Sequence, residues 1–306
     1  MAANYLLHLA MDNVKTLINV LKTVHFRDLA TFFATADGLK ITVEDTKCIQ
    51  GNAFLHTDLF REYHVTQDII SFRTNLNVLI DCLSIFGTSN QNSSANLLIT
   101  YVNHGSTLDL ILEENGVVAE CNVRTMDAFE ILDFNFSTDN SSDKLIVKSD
   151  CMRDAFLELD MTSELLEVAL LPPSTPQPRL RLTTYGVSGT IHFDVPRGSD
   201  QIELFAINSP IPRVARYRLS ILRPAISRAV HLATRISLCV NQRGFLALQN
   251  MITLADKKSA FVEFFCVPEE DSQGATPSGY DSIGIQQTES IANGKQQGIY
   301  DPDWSD

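Results

Sequence analysis

Residues 14–21 have the sequence VKTLINVL, in which Val14, Leu17, Ile18 and Leu21 are spaced as one apolar face of an α-helix. The same apolar offsets of 0, 3, 4 and 7 recur in three further segments: LNVLIDCL at 76–83, MRDAFLEL at 152–159 and LRPAISRA at 222–229. The first and third segments start 138 residues apart, and the second and fourth start 146 apart. This spacing predicts a duplicated unit with two helices in each half.

Short runs with alternating or β-branched residues lie between these helices and are bounded by turn residues, which predicts strands. In the first half the predicted strands are 29–34, 39–44, 69–73, 97–102, 107–113 and 117–124. In the second half they are 144–148, 165–171, 179–185, 190–195, 217–222, 235–240, 245–252 and 261–267. Strands joined this closely should be antiparallel, because a parallel crossover needs about a dozen residues. We therefore predict an α+β fold with helices on one face of the sheets.

The domain organisation follows from the repeat and from the composition of the joints. We predict a first lobe at 1–125, an interdomain connector at 126–143, a second lobe at 144–268 and a disordered acidic tail at 269–306. The tail contains eight acids against one lysine, with no hydrophobic period. It holds about half of the formal charge of −13, and residues 1–268 are left with −6. A mildly acidic body can still present a local basic face.

Composition excludes several classes of protein. The N-terminal residues run directly into the first helical pattern without a basic stretch, which argues against a secretory signal. No apolar run approaches the roughly 18 to 20 residues that span a bilayer, so we expect a soluble, intracellular protein without membrane contact. The six cysteines are at least 27 residues apart with no C-x-x-C pair, so neither a zinc site nor a thioredoxin-type site is predicted. We expect no metal and no cofactor.

Catalytic motifs do not support an enzyme. The sequence has no P-loop, no G-x-G-x-x-G, no H-E-x-x-H and no G-x-S-x-G elbow. Two-metal nuclease chemistry needs clustered carboxylates, and the adjacent pairs Glu44-Asp45 and Glu113-Glu114 point to opposite sides of a strand. We therefore predict no catalytic residues. A metal-dependent 3'-5' exonuclease of DNA repair and a protein-only scaffold stay open as alternatives.

Several longer stretches resemble a known family. DGLKI at 37–41, leading into a strand of a two-fold repeat, resembles the eukaryotic sliding-clamp (PCNA-like) fold. More specific runs resemble the "rad one" subunit of the nine-one-one DNA-damage checkpoint clamp. These runs are VEDTKCIQGNAF at 43–54, LIDCLSIFG at 79–87, LEENGVV at 112–118, ELDMTSE at 158–164, NQRGFLALQNM at 241–251 and VEFFCVP at 262–268. The resemblance covers about residues 5 to 270, and the tail has no part in it.

The resemblance implies a function in DNA damage, DNA repair and the cell cycle checkpoint. It implies a heterotrimeric ring with helices lining the hole and sheets outside. The expected partners are the two other clamp subunits of the nine-one-one ring, a clamp loader, double-stranded DNA bound without regard to sequence, and repair and checkpoint proteins. The expected location is the nucleus.

The helices supply candidate DNA-facing cations. If the apolar stripe of each helix packs on a sheet, the opposite stripe faces the hole. The candidates are Lys15, Lys22, Lys148, Arg153, Arg223 and Arg228. Sparse cations suit a ring that slides, because each neutralised phosphate contributes roughly 0.9 to the salt slope of affinity. No aromatic residues lie among them, so base stacking is not indicated. A solvated helix face is the alternative for each cation.

Two strands and the connector supply the other candidate sites. By the resemblance, 117–125 and 180–185 lie at sheet edges that pair with neighbouring subunits. The predicted interface residues are Val117, Val118, Ala119, Glu120, Cys121, Asn122, Val123, Leu180, Arg181, Leu182, Thr183, Thr184 and Tyr185. The alternative is that each is an ordinary internal strand. The predicted partner-peptide pocket consists of Met126, Phe129, Ile131 and Leu132, whose alternative role is to pin the connector.

Overall fold

The fold is described from a computed structural model. It covers residues 5–87, 95–132, 134, 136, 143–187, 189–254 and 258–269. Apart from Glu269, the predicted acidic tail lies outside the described residues, as does most of 133–142 in the connector.

In the described residues, the first repeat contains nine strands and two helices. They are β1 (Leu7–Met11), α1 (Val14–Thr23), β2 (Leu29–Thr35), β3 (Gly38–Asp45), β4 (Ile49–His56), β5 (Glu62–Val65), β6 (Ile70–Asn75), α2 (Leu76–Leu83), β7 (Asn96–Tyr101), β8 (Leu108–Glu114) and β9 (Val117–Val123). A single 3-10 turn at Thr57–Leu59 precedes β5, and the short β10 (Thr125–Met126) follows β9.

The second repeat has the same order of strands and helices. Its elements are β11 (Asp143–Lys148), α3 (Ser149–Glu158), β12 (Leu165–Leu171), β13 (Arg179–Gly186), β14 (Gly189–Pro196), β15 (Ile202–Ala206), β16 (Arg213–Arg218), α4 (Leu219–Ile226), α5 (Arg228–Leu232), β17 (Ala233–Val240), β18 (Leu246–Thr253) and β19 (Ser259–Cys266). Strand for strand, β11 to β19 repeat β1 to β9. The numerical lobe boundaries stay a prediction.

The strands form three antiparallel sheets, which confirms the predicted α+β class. In the first repeat β5-β1-β7-β8-β9 is one sheet, and in the second β14-β13-β12-β16 is another. The third sheet, β10-β6-β2-β3-β4-β19-β18-β17-β11-β15, contains strands of both repeats. It exists because β19, the last strand of the second repeat, pairs with β4 of the first, from Phe261 opposite Phe54 to Cys266 opposite Ile49.

The helices pack their apolar stripes onto the sheets, as the sequence predicts. Leu17 and Leu21 of α1 are buried, and Asn13 caps the helix by accepting a hydrogen bond from the Lys15 amide. The prediction of a single fourth helix is wrong in one respect. The segment forms two short helices, α4 and α5, which are separated by Ser227. Pro224 lies inside α4, where it removes a backbone donor and crowds the carbonyl four residues before it, so the helix ends soon afterwards.

Several strands depart from the prediction. The segment before Val14, for which no strand was predicted, forms the internal strand β1 between β5 and β7. Strands β4, β5, β10 and β15 were not predicted from the sequence either. The predicted strand at 217–222 is misplaced, because β16 ends at Arg218 and α4 begins with the next residue.

Candidate interfaces with neighbouring subunits and DNA

Strand β9 lies at the free edge of the five-stranded sheet. Within the described residues it pairs with β8 alone, from Leu108 opposite Val123 to Glu114 opposite Val117. Val117 and Val118 are exposed, and Glu120 and Asn122 are also exposed. The first predicted interface strand therefore has an edge available for pairing.

The second predicted interface strand is not at an edge, which corrects the assignment of Leu180, Arg181, Leu182, Thr183, Thr184 and Tyr185. Strand β13 pairs with β12 on one side and with β14 on the other. Its backbone donors and acceptors are therefore used within the sheet. The edge strand is β14, where Ile191 is exposed and which pairs only with β13 among the described strands.

The predicted DNA-facing cations lie on or beside the helices. Lys15 and Lys22 are partly exposed on α1, and Lys148 is exposed just before α3. Arg223 and Arg228 are exposed on α4 and α5. These side chains are accessible on the side of each helix that faces away from the buried stripe.

Three of the arginines are held in place by neighbouring groups. Arg153 pairs with Asp150 one turn earlier, with 3.0 Å between Nη1 and Oδ1. Arg223 donates from Nη2 to the Met161 carbonyl at 3.2 Å. Arg228 donates from Nη1 to the Lys22 carbonyl at 3.3 Å, and so links α5 to α1. The helices thus carry a few cations, and three of the arginines are oriented by contacts within the chain.

The connector is pinned at Leu132 by two polar side chains of the sheet. The Glu44 carboxylate accepts from the Leu132 amide at 2.8 Å, and the Gln50 amide donates to the Leu132 carbonyl at 2.9 Å. Gln50 also donates to Glu44 at 2.7 Å. This is the alternative role that the sequence analysis left open for the connector.

The other predicted pocket residues are differently placed. Phe129 is 67% exposed, with the Arg73 guanidinium 4.7 Å from the centre of its ring. Met126 is exposed in β10, and Ile131 is partly buried. Phe134, which the sequence analysis did not select, is buried against an apolar cluster that includes Phe265. A peptide pocket at these residues stays a prediction.

An arginine-rich surface on the outer face of β16, β12, β13 and β14 was not predicted from the sequence. Arg179, Arg181, Arg216 and Arg218 lie on this face. The sequence contained a sign of this surface, because the two arginines of each strand are two residues apart and such residues lie on the same face of a strand. We call this face the arginine face.

Carboxylates and a tyrosine order the arginine face. Arg181 makes a bidentate pair with Asp194 at 2.6 and 2.7 Å, which lowers the pKa of that carboxyl. Arg216 and the Tyr185 hydroxyl both donate to Glu167, at 2.9 and 3.0 Å.

In the part of the chain that the structure describes, no cluster of three or more His, Cys, Asp or Glu side chains could hold a metal ion. Among the same residues, no helix has the length and apolar composition to cross a bilayer.

The duplicated sheet-and-helix architecture is that of the PCNA-type clamps. PCNA from Thermococcus kodakaraensis superposes with a TM-score of 0.66 at 15% identity, over 86% of this chain and 100% of that one. Residues 6–252 match the model of the family described as repair protein Rad1/Rec1/Rad17. The chain belongs to this family.

Curated relatives agree with this assignment. The chain is 43% identical to the human cell cycle checkpoint protein RAD1 over 268 residues, which are 87% of this chain and 93% of the human one. It is 25% identical to the DNA damage checkpoint control protein rad1 of Schizosaccharomyces pombe over 276 residues, covering 83% and 84% of the two chains. Family and fold together support the predicted checkpoint clamp subunit and do not favour the exonuclease alternative.

Proposed function

We propose that this chain is a non-catalytic subunit of a heterotrimeric clamp that encircles DNA in the nucleus and recruits repair and checkpoint proteins. The observation that carries the proposal is the pairing of β19 with β4 within the chain. That pairing joins the last strand of one repeat to the strand at the open edge of the other. The same two strands in the opposite repeats, β9 and β14, have unpaired edges in the described structure.

The duplication indicates how neighbouring subunits would join. Strand β9 is the counterpart of β19, and β14 is the counterpart of β4. Pairing of β9 with the counterpart of β14 in a neighbour would fuse a five-stranded and a four-stranded sheet, as β19 and β4 do within the chain. Each such contact is head-to-tail. Contacts of this kind give a closed ring only if the rotation between neighbouring subunits brings the last subunit back to the first, and otherwise they give an open filament. Six repeats in three subunits would give the expected pseudo-six-fold ring.

In such a ring, the helix layer would line the channel through which DNA passes. Its exposed side carries polar residues and a few cations, including Asn19, Arg223 and Arg228. A small number of phosphate contacts gives weak, salt-sensitive and sequence-independent binding, which allows sliding. Retention would then depend on topology, and a clamp loader would be needed to open the ring.

This function is tested by comparing how well the assembled complex stays bound to circular DNA and to linear DNA. The chain is assembled with its two partner subunits and loaded by the clamp loader onto nicked circular DNA, and bound protein is measured before and after the circle is cut once. We expect cutting to release the complex because the ring can slide off the ends. Equal retention on circular and linear DNA would contradict encirclement. Absence of the chain from DNA would favour the scaffold, and release of nucleotides by a metal-dependent activity intrinsic to this chain would favour the exonuclease.

A further inference from the structure

The C-terminal segment begins in the same way as the interdomain connector. After β9 ends at Val123, the chain reaches Met126 in three residues, and Met126 pairs with Arg73 of β6. After β19 ends at Cys266, the chain reaches Glu269 in three residues, and the Glu269 amide donates to the Arg216 carbonyl of β16 at 2.6 Å.

The two acceptor strands correspond position by position. β6 ends at Asn75 and β16 ends at Arg218, and a helix follows each without a gap. Arg73 and Arg216 are therefore equivalent, each lying two residues before the end of its strand. At the end of each repeat, the chain thus makes backbone hydrogen bonds to the edge of the equivalent strand, β6 in the first repeat and β16 in the second, as in β-strand addition.

The connector shows where such a segment continues. From β10 it crosses the outer face of the sheet until Leu132 contacts Glu44 of β3 and Gln50 of β4. By the repeat, the equivalent course beyond Glu269 crosses β16, β12, β13 and β14. That course is the arginine face.

Charge and shape on the arginine face fit the residues that follow. Three of its four arginines pair with two carboxylates of the same sheet, Arg179 and Arg181 with Asp194 and Arg216 with Glu167. The Glu269 carboxylate already makes two hydrogen bonds of 2.6 Å with the Arg218 guanidinium. A cavity of about 400 Å³ lies beside this pair and is lined by Ser163, Glu164, Leu165, Tyr185 and Arg216.

Residues 270–306 have the composition to occupy this face. They contain seven acids and one lysine, with Glu270 and Asp271 at the point where they leave the described structure. Four strands about 4.8 Å apart are crossed in roughly 15–20 Å. An extended chain covers that distance in about six residues at roughly 3.3 Å each.

We propose that the chain from Glu270 onward is a second connector, which docks in cis across the arginine face toward the edge strand β14. The inference rests on the duplication and on the contacts of Glu269. It needs no ring, so it is independent of the proposed clamp function. In an assembled ring, the segment would end beside the junction with the next subunit.

Photo-cross-linking in the full-length chain tests the second connector. The photoreactive amino acid p-benzoyl-phenylalanine replaces Tyr185 on the arginine face or, as the matched control, exposed Val102 in the first repeat. We expect irradiation to join position 185 to peptides from 270–290, at a yield that falls severalfold in about 1 M salt, where the Debye length is about 3 Å. Arg216→Ala combined with Arg218→Ala should lower the yield similarly.

Three results would overturn the proposal. They are no cross-links from position 185 to the C-terminal residues, equal yields from positions 185 and 102, and cross-links that join only different chains when isotope-labelled and unlabelled protein are mixed. Circular dichroism of each variant separates loss of docking from loss of the fold.

Discussion

Arg228 of the second repeat donates a hydrogen bond to the main-chain carbonyl of Lys22 in the first, with 3.3 Å between the two atoms. Lys22 lies in the last turn of α1, where carbonyl groups lack partners within the helix and the helix dipole favours a cation. The contact therefore joins α1 to α5 through two residues that the sequence predicted to face DNA.

Reversing the charge of α1 should weaken DNA binding without unfolding the chain. Lys15→Glu combined with Lys22→Glu replaces two cations with anions on the exposed side of the helix layer. Because each lost phosphate contact removes about 0.9 from the salt slope, we expect weaker binding at low salt and a shallower dependence of binding on salt. Binding of the assembled complex to linear DNA with free ends, where topology cannot hold it, measures this effect over a range of salt concentrations.

The matched control for this pair is Lys47→Glu combined with Arg243→Glu, which makes the same change in charge at exposed positions outside the helices and outside both predicted interface strands. Equal losses for the two double variants would show that net charge, and not the helix layer, governs binding.

Phe134 should contribute more to stability than Phe129, although both are in the connector. Phe134 is 9% exposed and stacks on Phe265 at 5.4 Å, whereas Phe129 is 67% exposed. Phe134→Ala should lower the free energy of unfolding by about 3 kcal/mol. Phe129→Ala should cost under about 1 kcal/mol, since it loses mainly an exposed contact with Arg73. Urea denaturation compares the two, and equal costs would contradict the pinned connector.

Glu263 should make stability depend on pH at the strand that joins the repeats. Burial on β19 raises its carboxyl pKa from 4.5 to about 6, against the opposing effects of the Gln249 hydrogen bond and of Lys40. Because the folded pKa is the higher one, the charged form carries a penalty that is absent below about pH 4.5, grows as pH rises, and is complete above about pH 6.

Glu263→Gln should therefore stabilise the protein by roughly 1–2 kcal/mol above pH 6 and have little effect at pH 4. Glutamine can still accept the hydrogen bond from Gln249. Thermal melts of the two proteins at several pH values measure the difference. A gain of equal size at both ends of the range would rule out the charge as its cause.

The Cys82 thiol should resist alkylation at neutral pH. Burial raises its pKa to about 11, with further contributions from a hydrogen bond to Cys121 and from the charge of Asp81. Since the thiolate is the nucleophile, labelling should accelerate as pH rises toward that value. Mass spectrometry of iodoacetamide-treated protein follows the rate. Rapid labelling of Cys82 at pH 7 would contradict a partly buried thiol that stays protonated.

The helices could be predicted because their burial is one-sided. On α2 the four residues of the predicted apolar stripe are all buried: Leu76, Leu79, Ile80 and Leu83. The spacing of the apolar residues was therefore sufficient to predict this helix. Strand β4 could not be found in this way. Its outer face holds Gln50 and Asn52, which are buried by the connector and by neighbouring side chains, so polar residues occur where an exposed or apolar face would be expected.

The positions of the strands in the sheets could not be obtained from local pattern. Strand β13 is charged on one face, with Arg181 paired to Asp194, and this resembles the charged edge that blocks unwanted pairing. Which strand is outermost depends on the order of β12, β13 and β14 in the sheet. That order is a property of the whole repeat, and so the predicted edge was one strand too early.

Native mass spectrometry of the chain mixed with its two partner subunits tests the ring most directly, when wild type is compared with Val118→Pro in β9 and His192→Pro in β14, two exposed residues at the unpaired edges. Proline removes a backbone donor and disfavours a new strand pairing at these edges. The account predicts a complex with one copy of each subunit for wild type and loss of one junction with each proline variant, while each variant remains folded alone. A wild-type chain that stays monomeric with both partners, or a complex that neither proline disturbs, would contradict it.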